Sequence, residues 1–311
     1  MALSNLFLPR VLLLVSLIIP LAVHAQSSTL SGIEPATTTI PETSAAGAPL
    51  QEAERIQLTD EIVDHINNNQ ATAEYAWYFA FQNSSVPSSS ETLTHRASAR
   101  CKTFPSDRSW PQDVIWNVFD HLLDGALIRT VPVGAACYDT PWGKKNEAKC
   151  TNVVKNFTNA YFHADDPTSN MWPIFEGRTC MPKNDTTGQS CTIGGFPEYA
   201  VKVTNVAQIQ LAINFARAAN LRLVIKNTGH CYLGKSLGAG ALSLWTHNLK
   251  DIDFMPDYKG PGYSGPAFKL GAGVSVREVY EAAEKNDVTV LGAVSWVSTI
   301  TKPARCSIIT N

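Results

Sequence analysis

The sequence carries little charge and no excess of either sign. Charged residues make up 17% of its 311 residues, and its formal net charge is −2. Proteins that bind nucleic acids carry clustered lysine and arginine that neutralise phosphates. The composition therefore gives no reason to expect a nucleic acid as a partner.

Two common kinds of functional motif are also missing. There is no Cys-x-x-Cys pair and no His-x-x-x-His spacing, so no metal-site pattern is present. The dinucleotide-binding letters Gly-x-Gly-x-x-Gly occur at residues 260–265, but in a proline-containing turn. A working fingerprint follows a strand and opens a helix, so this match is a coincidence of letters. The sequence also contains no internal repeat.

Long apolar runs are scarce, and the main one lies at the N-terminus. Residues 11–23 are apolar, follow Arg10 and lead into the small-residue signal Val23-His24-Ala25. This pattern predicts a secretory signal peptide over residues 1–25, with an uncleaved anchor as the alternative; the run is short for a membrane span. No stable membrane span is expected after cleavage. Residues 26–50 are rich in Ser, Thr, Pro, Ala and Gly, which predicts a flexible leader.

The cysteine count fits a secreted chain. Seven cysteines predict disulfide bonds, but sequence alone leaves the pairing open and at least one cysteine unpaired. The candidates are Cys101, Cys137, Cys150, Cys180 and Cys191. Three sequons, beginning at Asn83, Asn156 and Asn184, predict glycosylation in the secretory pathway.

Apolar periodicity divides the rest of the chain in two. Residues 51–192 predict a helical, disulfide-bearing region, with helices over 51–69 and 110–123, a strand over 126–133 and a weaker helix over 152–161. Residues 193–293 predict a sheet covered by helices: strand 199–203, helix 205–220 and strand 221–226 form a crossover unit. Apolar spacing places Val206, Ile209, Ile213 and Ala216 on one face of that helix. A strand over 267–270, a capping box at Ser275 and Glu278, a helix and a strand over 288–291 follow.

A glycine-rich loop follows the strand that ends near Ile225. It runs to the next apolar segment, residues 241–245, and contains Gly229, Gly234, Gly238 and Gly240. Glycines let successive backbone N–H groups converge on phosphate oxygens, and Lys226 and Lys235 add positive charge. The loop therefore predicts an anion-binding cradle with His230 in its middle.

The letters of this loop carry a resemblance to a known family. Residues 226–234 read KNTGHCYLG, residues 172–180 read WPIFEGRTC, residues 195–199 read GFPEY and residues 245–249 read WTHNL. Together they resemble the vanillyl-alcohol-oxidase family, specifically its fungal berberine-bridge-enzyme-like FAD oxidoreductases. The resemblance covers roughly residues 101–292. It implies an α+β fold, a two-subdomain FAD-binding domain of the PCMH type, incomplete at its C-terminus and preceded by the helical region.

The resemblance also implies the cofactor and its ligands. FAD would be held through Lys226, Asn227, Thr228, Gly229, His230, Cys231 and Gly234. In that family the histidine is often bonded covalently to the flavin, whereas from its residue type alone His230 would be a loop imidazole that bonds backbone. Cys231 stands where the fungal relatives usually have Asp or Ser.

The family pattern breaks at Ala293. Relatives continue with Gly-x-Cys-Pro-x-Val-Gly, whereas residues 294–311 form a divergent tail with Ser295 at the expected cysteine position. The break leads us to expect an incomplete gene model or a weakly active or inactive product. No catalytic residue is assigned, because the resemblance places the base in the missing part.

The resemblance implies an oxidoreductase in which a small-molecule substrate gives a hydride to flavin N5 and O₂ reoxidises the flavin. Text at residues 101–105 and 110–111 resembles the ergot-alkaloid branch of secondary metabolism, so a prenylated tryptophan derivative is the preferred substrate. A secreted carbohydrate or alcohol oxidase and a non-catalytic remnant are alternatives. Residues 234–238 also spell a serine-hydrolase elbow around Ser236, but the required strand, turn and helix are not predicted there.

Overall fold

The computed structural model describes residues 32–42, 44–45, 47–83, 101–183 and 190–292. The predicted signal peptide and the divergent tail lie outside these residues, as does the sequon at Asn184. Within the described residues no helix is both long and apolar enough to cross a membrane. The same residues contain no cluster of three His, Cys, Asp or Glu side chains suited to a metal ion.

The N-terminal part consists of short elements. They are β1 (Thr38–Thr39), β2 (Ser44–Ala45), β3 (Ala48–Pro49), α1 (Glu52–Arg55), β4 (Ile56–Gln57) and α2 (Asp60–Asn68). Strand β1 pairs antiparallel with β4, and β2 pairs with β3. Part of the stretch predicted as a flexible leader, residues 26–50, thus forms short strands. Ala36 is buried there, and its N–H donates to the carbonyl of Leu122 over 3.0 Å.

The predicted helix over residues 51–69 is interrupted. Ile56 enters β4, and a second helix begins after Thr59, whose hydroxyl accepts the N–H of Ile62. A threonine cap satisfies a backbone donor that the first helical turn leaves unpaired. Val63 and Ile66 of the predicted apolar stripe then face the core.

The middle of the chain follows the prediction more closely. Its elements are α3 (Asp113–Leu122), β5 (Leu127–Arg129), a 3₁₀ turn (Val133–Cys137), α4 (Glu147–Asn156) and α5 (Ala160–Ala164). Helix α3 begins after Gln112, so Pro111 lies outside it and not in its first turn. Asp124 and Gly125 have φ angles of 60° and 72°, and this left-handed turn ends the helix.

The predicted crossover unit is present. It consists of β6 (Tyr199–Lys202), α6 (Val206–Ala218), β7 (Arg222–Lys226) and β8 (Ala241–Trp245). The sheet order is β5-β6-β8-β7; β6, β8 and β7 are parallel and β5 is antiparallel to β6. The buried face of α6 differs from the predicted one, because Ile213 is 44% exposed whereas Leu211 and Phe215 are fully buried.

The last described elements form a separate small layer. Strands β9 (Ile252–Gly260) and β10 (Tyr263–Leu270) form an antiparallel hairpin, and α7 (Val276–Lys285) follows. Ser275 and Glu278 form the predicted capping box. The predicted strand over residues 288–291 is absent, although Val290 packs with Val279 in an apolar cluster.

The main core lies between the sheet and the helices. Phe119 and Phe215 stack with ring centroids 4.3 Å apart, and Trp116 stacks on Tyr199 at 4.0 Å. Two disulfides, Cys137–Cys150 and Cys180–Cys191, staple the region before the sheet. The prediction of disulfides among these cysteines is confirmed, and the structure supplies their pairing; Cys101 and Cys231 are free thiols.

Candidate cofactor-binding site

The glycine-rich loop lies at the carboxyl end of the parallel strand β7. It comprises residues 227–240 and leads into β8, the strand that pairs in parallel with β7. Gly229 and Gly234 have φ angles of 77° and 64°, a left-handed backbone that glycine adopts without a steric penalty. Crevices at the carboxyl ends of parallel strands are common ligand sites.

The first half of this loop carries backbone N–H groups without a hydrogen-bond partner among the described residues. No described residue accepts a hydrogen bond from the backbone N–H of Thr228, Gly229, His230 or Cys231. Thr228 and Gly229 are nevertheless buried. Buried backbone donors are normally paired, and a run of unpaired donors in a tight loop is a typical anion-binding arrangement.

Lys226 lies beneath the loop. Its side chain is fully buried, and Nζ donates to the carbonyl oxygens of His163 at 3.0 Å and Asn227 at 3.3 Å. Burial lowers the pKa of Lys226 to about 8, and the carboxylate of Asp166 opposes this shift. The ammonium therefore contacts the loop from its buried side, through the backbone carbonyl of Asn227.

The Asn227 side chain ties the start of the loop to neighbouring segments. Its amide nitrogen donates to the carbonyl of Ala272, and its oxygen lies 3.2 Å from Nδ1 of His247. The other ring nitrogen of His247 lies 3.4 Å from Asp165. Burial lowers the pKa of His247, the positive charges of Lys250 and Lys226 lower it further, and Asp165 opposes the shift.

His230 lies at the outer end of the loop. Its Nδ1 is 2.9 Å from Sδ of Met171, and its ring centroid is 5.5 Å from that of Tyr232. The Tyr232 ring is in turn 5.1 Å from Trp172. The half-buried imidazole therefore sits at the edge of an aromatic patch.

The second half of the loop is held internally. Sγ of Cys231 lies 3.0 Å from Oγ of Ser236, and the N–H of Ser236 donates to the same sulfur at 3.3 Å. A Cβ added to Gly234 would lie 2.5 Å from the ring of Phe175. Ser236 is buried, and the loop continues into β8 and not into a helix, so the geometry of a nucleophile elbow is not present.

A cleft of about 360 Å³ opens beside Thr228. Its walls include three acid–base pairs: His247 with Asp165, Lys250 with Glu278 at 2.9 Å and Arg277 with Glu281 at 2.7 Å. Lys250 and Arg277 balance the charges of Glu278 and Glu281, whereas His247, whose pKa is lowered, leaves the charge of Asp165 unbalanced at neutral pH.

Comparison with known proteins identifies relatives over about two thirds of the chain. No family model matches. The chain is 41% identical over 202 residues to the VAO-type flavoprotein oxidase VAO615 of Thermothelomyces thermophilus, covering 65% of this chain and 35% of the relative. It is 43% identical over 195 residues to the FAD-linked oxidoreductase ZEB1 of Gibberella zeae, covering 63% and 34%.

A solved structure agrees with these relatives. The crystal structure of the VAO-type flavoprotein MtVAO615 from Myceliophthora thermophila superposes with a TM-score of 0.60 at 39% identity, covering 64% of this chain and 36% of that one. Over the matched residues, this chain is similar to VAO-type flavoproteins. It spans about a third of the length of the curated relatives it matches. The resemblance and the α+β fold stated from the sequence are thereby confirmed.

A second segment supports the glycine-rich loop, and sequence reasoning missed it. Residues 163–176 pack behind the loop: the N–H of Met171 donates to the Gly229 carbonyl at 3.3 Å. His163 is buried between the Ser169 hydroxyl and the Phe157 carbonyl, and burial lowers its pKa. The polar letters of residues 165–170 resemble an ordinary surface loop, so the sequence held no signal for the burial of residues 168–170.

Glu176 belongs to the same segment. Its carboxylate accepts the N–H of Asn170 at 3.0 Å, and only 4% of the residue is exposed. Burial raises the pKa of Glu176 to about 7; the charge of Asp166 adds to the shift, and the Asn170 hydrogen bond opposes it. The only hint in the sequence was the WPIFEGRTC text, which gave a resemblance but no role for the glutamate.

Proposed function

We propose that this chain forms the FAD-binding part of an oxidoreductase. The observation that carries the proposal is the run of four unpaired backbone donors from Thr228 to Cys231, in a chain whose relatives are VAO-type flavoproteins. The donor set fits a diphosphate, because backbone N–H groups in a glycine loop bind phosphate oxygens without steric hindrance.

Each residue of the loop has a distinct task in this proposal. The N–H groups of Thr228, Gly229, His230 and Cys231 hold the pyrophosphate, and buried Lys226 adds positive charge from beneath. The left-handed turns at Gly229 and Gly234 give the loop its path. His230, beside Tyr232 at the aromatic edge, carries the covalent link to the flavin. FAD, when bound, supplies hydride acceptance at N5.

The substrate we propose is a small molecule of fungal secondary metabolism, with O₂ as the electron acceptor. Relatives named as FAD-linked oxidoreductases and a bifunctional decalin synthase from Penicillium decumbens, 38% identical over 197 residues, support this class. A prenylated tryptophan derivative is our specific hypothesis. Hydrogen peroxide release from a full-length version, measured with such derivatives beside sugars and simple alcohols, tests it; turnover of only sugars would overturn it.

We also propose that the protein passes through the secretory pathway. The two disulfides support this, because such bonds persist in oxidising compartments. Asn156 ends helix α4 and begins a sequon. A mobility shift on glycosidase treatment that is smaller for Asn156→Gln would support the route; a protein without glycan and with reduced cysteines would contradict it.

The cofactor proposal is tested by the visible spectrum of the purified protein before and after acid precipitation. We expect yellow colour that stays in the wild-type pellet and leaves the pellet of His230→Ala. His121→Ala is the matched control, because His121 is exposed on helix α3 and its Nδ1 contacts only the Asn117 carbonyl. Colourless wild-type protein would overturn the proposal and favour a remnant that has lost the cofactor.

A further inference from the structure

Asn170 is a fully buried polar residue that joins the supporting segment to the glycine-rich loop. Its side-chain oxygen accepts the N–H of Trp172 at 2.7 Å. Its side-chain nitrogen donates to Oγ of Ser236 at 2.9 Å and lies 3.6 Å from Sγ of Cys231. The backbone N–H of Asn170 donates to the carboxylate of Glu176. Every polar group of the side chain is therefore used.

These contacts bracket His230. On one side, the N–H of Met171 holds the carbonyl of Gly229. On the other, the Asn170 amide reaches Cys231 and Ser236, which also contact each other. The residues before and after His230 are thus both fixed by the two neighbours Asn170 and Met171, from outside the loop.

We propose that Asn170 is a positioning residue that holds the glycine-rich loop in the conformation that receives the flavin. This inference rests on the proposed function. One planar amide supplies both the acceptor that Trp172 requires and the donor that Ser236 and Cys231 require. Aspartate lacks the donor and leucine lacks both groups. The buried bonds lie in a region of low dielectric, where removing one partner leaves the other unsatisfied.

A role confined to folding predicts a different pattern. A buried asparagine that only stabilises the protein would lower its stability and leave the loop of the folded protein unchanged. Asn214 offers this comparison. It is also buried, with 4% exposure, and its amide donates to the Phe79 carbonyl at 2.8 Å in the main core.

The first measurement needs no cofactor. In the 311-residue chain that carries Cys101→Ser and Cys306→Ser, Cys231 is the single cysteine outside the two disulfides. We expect iodoacetamide to alkylate Cys231 about tenfold faster in Asn170→Ala, because the loss of about two hydrogen bonds frees the thiol and the loop. In Asn214→Ala, Cys231 should be alkylated at the same rate as in the parent that carries only the two cysteine substitutions.

The second measurement is flavin content. We expect the flavin-to-protein ratio of folded Asn170→Ala to fall about threefold or more, while Asn214→Ala keeps the ratio of the parent. If Asn170→Ala does not fold, Ser236→Ala removes the same bond from the loop side and should give the same two changes, which Ser236→Thr should largely restore.

The outcomes separate the two proposals. Equal alkylation rates and equal flavin ratios for Asn170→Ala and Asn214→Ala, in a parent that contains flavin, would overturn the positioning role and leave the proposed function standing. A colourless parent would overturn the proposed function. In that case, a tenfold faster alkylation of Cys231 in Asn170→Ala would still support the role of Asn170 in positioning the loop. An unchanged alkylation rate would overturn that role.

Discussion

Nζ of Lys226 lies 3.0 Å from the carbonyl oxygen of His163, at a position where the lysine has no solvent exposure. The contact joins the last residue of β7 to helix α5, 63 residues earlier in the chain. A buried ammonium with carbonyl partners stabilises the loop above it at the cost of desolvating a charge. The stability of the protein at alkaline pH depends on this arrangement.

Lys226 should make the stability of the protein depend on alkaline pH. Its folded pKa is about 8 and its ordinary value is 10.5. Between these values the unfolded chain holds a proton that the folded chain has lost, so the contribution of Lys226 to stability rises with pH. The free energy of unfolding of the wild type, minus that of Lys226→Met, should grow by about 3 kcal/mol across this window. Chemical denaturation at pH 8 and above measures it.

The matched comparison is Lys235→Met. Lys235 lies in the same loop but is exposed, so its replacement should give a difference that does not change across the same pH range. A flat difference for Lys226→Met as well would contradict the buried position of the ammonium.

Glu176 should act in the opposite direction at acidic pH. Its folded pKa is about 7, against an ordinary value of 4.5. Between these values the folded chain holds the extra proton, so the contribution of Glu176 to stability falls as pH rises. The unfolding free energy of the wild type, relative to Glu176→Gln, should fall by on the order of 3 kcal/mol between these pH values.

Glutamine keeps the oxygen that accepts the Asn170 N–H, so the comparison isolates the charge. Glu281→Gln serves as the control because that side chain is half exposed in a pair with Arg277. A pH-independent difference between wild type and Glu176→Gln would show that the carboxyl group is not desolvated.

Gly234→Ala should destabilise the protein and weaken flavin binding. The substitution forces a left-handed backbone on alanine and places its Cβ against the Phe175 ring. We expect a loss of about 2 kcal/mol or more in unfolding free energy. Gly262→Ala is a close control, since Gly262 has a φ of 78° and nothing within 4 Å of an added Cβ. If both variants lose the same stability, the packing of Phe175 on the loop is not tight.

The Cys180–Cys191 disulfide should contribute substantially to stability. It closes a segment of 11 residues immediately after Glu176. Cys180→Ser/Cys191→Ser should lose about 3 kcal/mol in unfolding free energy, mainly because the unfolded chain gains freedom. Urea unfolding measures the loss, and Cys101→Ser, which replaces an exposed free thiol, should change little. An unchanged urea midpoint in the double variant would argue against the bond.

Local elements were the part that sequence reasoning predicted well. In the unit of β6, α6 and β7, the apolar patterns of the strands and the Asn205 cap of the helix lie close together in the sequence. The capping box joins Ser275 to Glu278, which is only three residues further along the chain. Such features depend on neighbouring residues, which the sequence displays directly.

Predictions that depended on distant partners fared worse. The sequence suggested that Ile213 faces the core, but the core aromatics pack against Leu211 and Phe215 and leave Ile213 exposed. The helix predicted over residues 51–69 is interrupted because Ile56 pairs with Thr39 in a short sheet. Long-range pairing overrides local propensity when it satisfies backbone groups and buries apolar area.

The sequence by itself determined the fold class, the glycine-rich loop and the place of His230 within it. The fold class followed from the resemblance to the vanillyl-alcohol-oxidase family, and the loop followed from local spacing and from residue types that suit phosphate contacts. Only the tertiary structure decided that Lys226 points beneath the loop and that Asn170, 66 residues before Ser236, holds it. A polar residue becomes buried because of partners far along the chain, and neither its own letter nor its neighbours specify those partners.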